Sequence, residues 1–73
     1  MLADSIVTVA ADGFTRGRRV HLETTTLAGA PISEIEHLGG GLLRYRHPGQ
    51  PSDHYVPERA ILRLSVMPPE DEL

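Results

Sequence analysis

The sequence predicts an all-β fold, a small five-stranded and strongly bent antiparallel barrel, and three stretches carry that prediction. HYVPERAILRLSVM, residues 54–67, reads as two short apolar segments joined by a tight turn through Val56-Pro57-Glu58-Arg59-Ala60. RRVHLETTT, from Arg18, puts Val20 and Leu22 on one face and Arg19, His21 and Glu23 on the other, the period-two signature of a half-buried strand. Gly39-Gly40-Gly41 separates two further apolar runs, and consecutive glycines suit a backbone that must turn through positive φ.

The first residues admit two readings. Ser5-Ile6-Val7-Thr8-Val9 is β-branched and favours an extra strand, with Asp12-Gly13 as the following turn. Alternatively, Asp4 caps a short helix that stops at Gly13, with Ile6, Val9 and Ala10 as its apolar stripe. The β-branched run tips the expectation to a strand. The RRVHLETTT strand follows, and Leu27-Ala28-Gly29-Ala30-Pro31 then breaks the pattern with small residues and a proline. Apolar residues at 32, 35 and 38 also fit a short helix, but seven residues make a poor isolated helix and a bulged strand disturbs alternation too. A curved strand is therefore expected there. The glycine triplet makes a hairpin turn into a strand over residues 42–46. HPGQPSD, residues 47–53, is a polar surface loop, and the 54–67 segment completes the meander.

At 73 residues the chain has room for one domain, taken as residues 1–69 with an acidic tail at 70–73. A chain this size buries only about 60% of the surface exposed when unfolded, so a stabilising partner surface is expected. The sequence has no cysteine, which removes disulfides and thiolate zinc sites as that support. No apolar run approaches the roughly 20 residues of a membrane span and the start lacks a basic signal-peptide region, so a soluble cytoplasmic protein is the expectation. All seven basic residues are arginine, as a GC-rich genome produces.

Catalytic and metal chemistry find little footing. His21, His37, His47 and His54 show no helical pairing and no cysteine partner; only His47, Asp53 and His54 fall close together, across a loop. Ser52 and Ser65 have no base nearby in sequence, and Glu34 and Glu36 share the wet side of a strand. The glycine triplet lacks the lysine and the helix start of a phosphate loop. No cofactor, no metal site and no enzymatic activity are expected. Two binding classes remain. One is an interaction or assembly module that adds strands edge to edge, with His54, Tyr55, Val56, Ile61, Leu62, Leu64 and Val66 as candidate interface residues. Its partners are further copies of the same chain or a larger protein assembly. The other binds RNA through an arginine patch of Arg16, Arg18, Arg19, Arg44 and Arg46, with Tyr45 to stack on bases. A net charge of −3 and only three aromatics weigh against the second.

From about residue 18 to 66 the order of elements resembles the Sm-like (Hfq/LSm) superfamily of SH3-like small barrels. Gly29 stands where that family has its turn glycine, residues 32–38 where it has its bent second strand, and residues 54–66 where it has two strands around a one-turn bend. The resemblance implies a homo-oligomer, often a ring, in which adjacent subunits pair the last two strands. The bend departs from the family's RNA-binding chemistry: Val56-Pro57-Glu58-Arg59 replaces the tyrosine-lysine-histidine motif of the bacterial RNA chaperone.

Overall fold

A computed structural model describes residues 2–68. The chain runs α1 (Leu2–Thr15), β1 (Val20–Thr24), β2 (Ala30–Ile32), β3 (Glu34–Gly39), β4 (Leu42–Arg46), β5 (His54–Pro57), a single 3-10 turn (Glu58–Ala60) and β6 (Ile61–Val66). The acidic tail expected at 70–73 lies outside the described residues.

The all-β barrel expectation is corrected in two respects. The fold is mixed α/β, and its six strands form two three-stranded antiparallel sheets, ordered β2-β1-β6 and β3-β4-β5, that do not close into a barrel. Consecutive strands β5 and β6, separated by the 3-10 turn, end different sheets and do not pair with each other. The expected curved strand over residues 32–38 is present but divided at Ser33, where β2 passes into β3 and the Ser33 N–H donates to the Arg46 carbonyl at 2.8 Å.

The helix is the second correction. Ala3, Ile6, Ala10 and Gly13 are its buried residues, a three- and four-residue spacing that makes one continuous stripe. Burial of that stripe overrides the modest β preference of Ile6, Val7, Thr8 and Val9, since helices in proteins draw most of their stability from packing. Gly13 is not the helix stop. A Cβ there would lie 2.9 Å from Val20 Cγ2 and 3.1 Å from Val66 Cγ1, so the missing side chain lets α1 approach β1 and β6. The stop comes at Gly17, with φ of 70°. The Arg18 N–H reaches the Gly13 carbonyl at 2.9 Å and the Gly17 N–H reaches the Phe14 carbonyl at 3.0 Å, the paired bonds of a Schellman cap.

The core between helix and sheets holds Ala3, Ile6 and Ala10 from α1, Val20 and Leu22 from β1, Ile32, Ile35, Leu43, Tyr45 and Val56. The expected hairpin at Gly39-Gly40-Gly41 is observed, with φ of 111°, 62° and 81°. No helix among the described residues is long and apolar enough to cross a membrane.

Candidate assembly edges and arginine network

Two strands end their sheets on one side, β5 and β6, and the pairing inside each sheet fixes which main-chain groups they turn outward. The Glu58 N–H donates to the Gly41 carbonyl at 2.7 Å, and β4–β5 continue in that register with Val56 opposite Leu43 and His54 opposite Tyr45. Hydrogen-bonded pairs alternate along an antiparallel ladder, so Tyr55 and Pro57 turn their main-chain groups away from β4. On β6 the Met67 N–H donates to the Arg19 carbonyl at 2.8 Å, and the register places Ser65 opposite His21 and Arg63 opposite Glu23. Leu64 and Val66 therefore direct their main-chain N–H and C=O away from β1. A bulge shifts the β1–β6 register between Glu23 and Thr24, beyond which Thr24 lies opposite Ile61, and Pro57, which has no N–H, ends the donor row on β5.

The candidate interface residues divide by what their side chains do. Tyr55 is 59% exposed and Leu62 61% exposed. Val56 is in the core, while Ile61, Leu64 and Val66 are half-buried against it. His54 is half-buried on β5; its ring stacks on Tyr45 with centroids 5.2 Å apart, and His47 meets both rings edge-on. Among the described residues the buried Nε2 of His54 has no hydrogen-bond partner.

The six candidate nucleic-acid residues do not form one patch of free charge. Arg44 makes ion pairs with Glu36 at 2.6 Å, Glu34 at 2.8 Å and Asp53 at 3.0 Å. Arg46 holds the same Asp53 at 2.7 Å. The geometry explains the recruitment: Glu34 and Glu36 on β3 lie on the same face as Arg44 and Arg46 on β4, opposite them in register. The Glu36 hydrogen bond, followed by that to Glu34, holds the Arg44 guanidinium charged well above its ordinary range. The hydrogen bond from Arg46, with a smaller contribution from Arg44, holds the Asp53 carboxyl below its ordinary value against the opposing effect of burial. Tyr45 is 7% exposed, and burial pushes its phenol up. Its ring packs inside the protein, away from any base it was expected to stack on. Arg16 pairs with Asp12 at 3.3 Å one helical turn back, and Arg18 and Arg19 follow the helix cap at the mouth of a cleft.

Sequence reasoning passed over a further group of contacts. His37 Nε2 accepts the Gly41 N–H at 3.1 Å, which leaves Nδ1 to carry the ring proton toward Asp4 Oδ1 at 2.8 Å. Glu58 Oε2 accepts the Ala3 N–H at 2.7 Å, so a carboxylate from the 3-10 turn satisfies one of the open donors at the start of α1. Neither pairing has a local sequence signal, because the partners lie 33 and 55 residues apart. Among the described residues no cluster of three or more His, Asp or Glu is placed to hold a metal ion.

No family model, curated protein or solved structure matches this chain.

Proposed function

We propose that this chain is a non-catalytic assembly module that joins copies of itself by strand addition, the outer edge of β5 on one copy pairing with the outer edge of β6 on the next. The observation that carries the reading is the pair of outward-facing main-chain rows, Tyr55 on one edge and Leu64 with Val66 on the other. Unpaired strand edges are templates for another strand; a proline limits the donors on the β5 edge, and a bulge shifts the register of β6 against β1. Exposed Tyr55 and Leu62 beside these edges add apolar area to such a joint. The Sm-like resemblance supports the same pair of strands as the joining elements, and the absence of cysteine supports a cytoplasmic setting. A larger assembly that offers a strand of its own is served by the same edges.

RNA binding through arginines is the weaker alternative. Arg44 and Arg46 are already paired with three carboxylates, and Tyr45 faces the core. Light scattering on the eluting protein, with absorbance followed at both protein and nucleic-acid wavelengths, tests both. The assembly reading expects a mass several times that of one 8.0 kDa chain with a clean protein spectrum. A well-folded monomer at tens of micromolar sinks it, and co-eluting nucleic acid favours the alternative.

A further inference from the structure

A cleft of about 470 Å³ is lined by Phe14 of α1, by the segment from Arg18 into β1, by the end of β2 and by Pro48, residues that take no part in the β5 and β6 edges. Phe14, Val20, Pro31, Ile32 and Pro48 give it apolar walls. Its polar lining is Arg18, Arg19, His21 and Ser33, with no carboxylate among the lining residues. The volume falls within the roughly 300–1,000 Å³ of small-molecule sites, which combine mostly apolar walls with a few convergent polar groups.

One of those groups is conspicuously unmatched. The Nε of Arg18 is buried and has no hydrogen-bond partner among the described residues. A guanidinium is always charged and offers donors only, so whatever completes it must be an acceptor, best an anionic one. A carboxylate suits it, because one planar monoanion matches the fork of one guanidinium. Ser33 stands on the β2–β3 break and His21 on β1, both at the cleft wall.

We propose that this cleft is a binding site for a small monocarboxylate with an apolar aryl or acyl body, its carboxylate paired with Arg18 and its body against Phe14, Pro31, Ile32 and Pro48. The pairing supplies the acceptor that the Arg18 Nε lacks and covers apolar wall that otherwise faces water.

The test is a heteronuclear NMR titration of the full chain with phenylbutyrate, read at the Arg18 Nε–H and at the amides of His21 and Ser33. Uncharged phenylbutyramide and a short oligouridylate serve as comparison probes. Saturable shifts at these three groups with phenylbutyrate, weaker by at least about tenfold with the amide, are expected, since a charge-assisted pair is roughly twice as strong as a neutral one. Arg18→Gln should lose about tenfold in affinity. Because Arg18 closes the helix cap, Pro48→Glu supplies a second arm: Pro48 is exposed on the loop, and a carboxylate placed there competes for the same guanidinium without touching the core. It too should weaken phenylbutyrate binding. Equal binding of acid and amide, absence of shifts at millimolar phenylbutyrate, or shifts produced by the oligouridylate alone would each overturn the assignment.

Discussion

Replacing Tyr55 by proline separates the edge of β5 from everything else that strand does. The Tyr55 N–H points away from β4, so removing it leaves the internal bonds of Val56 and His54 intact, and the strand already carries a proline two residues on at Pro57. The side chain is 59% exposed, so its loss opens no cavity. Under the proposed strand addition, the substitution would remove one intersubunit donor and strand the acceptor opposite. An unmatched buried acceptor costs about 1–3 kcal/mol, which at 1.4 kcal/mol per factor of ten weakens each junction by about 5- to 150-fold. Light scattering over a dilution series reads that loss as a fall in mass at a higher concentration than for the parent. Tyr55→Ala, which keeps the N–H, should shift the dilution curve less. If the proline variant keeps the parent mass at every concentration while Tyr55→Ala dissociates, the Tyr55 side chain, not the strand edge, joins the copies and the reasoning fails.

Four further outcomes follow from the geometry. Gly13→Ala gains about 1 kcal/mol of helix preference but sets a methyl 2.9 Å from Val20, and overpacking at about 1–3 kcal/mol should leave a net loss in urea unfolding. Leu43→Ala empties a fully buried position and should cost about 2–5 kcal/mol in the same assay, a large share of what a domain this size possesses. Asp53 has its folded pKa below its ordinary 3.8, so the folded state binds fewer protons than the unfolded; the stability this gives is present above about pH 4 and disappears as pH falls through the depressed value. Acid titration of Asp53→Asn should lack that component, and an unchanged acid profile would remove the network from the account. In mildly alkaline buffer, nitrogen-detected NMR should find His37 as the Nδ1–H tautomer, and an Nε2–H form would contradict its bond to Gly41.

Local pattern made much of the strand content legible. Alternation located β1, the glycine triplet located the β3–β4 turn, and HYVPERAILRLSVM resolved into β5, a one-turn bend and β6. Residues 2–15 admit both strand and helix in sequence because β-branched composition is a local signal, while the stripe of Ala3, Ile6, Ala10 and Gly13 gains its meaning only from the sheets it packs on. Gly13 shows the ambiguity in one residue: sequence makes it a stop, and the close approach of Val20 and Val66 makes it a contact. The arginines were legible in identity but not in state. Glu34, Glu36 and Asp53 neutralise Arg44 and Arg46 across strands, and register is what brings them together. The buried Nε of Arg18 has no sequence signal at all.

The 3-10 turn between β5 and β6 is held at both ends. Glu58 is bonded through its N–H to Gly41 and through its carboxylate to Ala3, and the Ala60 carbonyl accepts the Thr25 N–H at 3.0 Å. Those ties fix the angle between the two outer edges, and for head-to-tail contacts that angle dictates symmetry. A rotation that divides evenly into a full circle closes the assembly at one copy number, and any other rotation winds an open helix. Three hydrogen bonds around a three-residue turn would thus count the copies, and loosening Glu58 would trade a defined particle for a distribution of sizes.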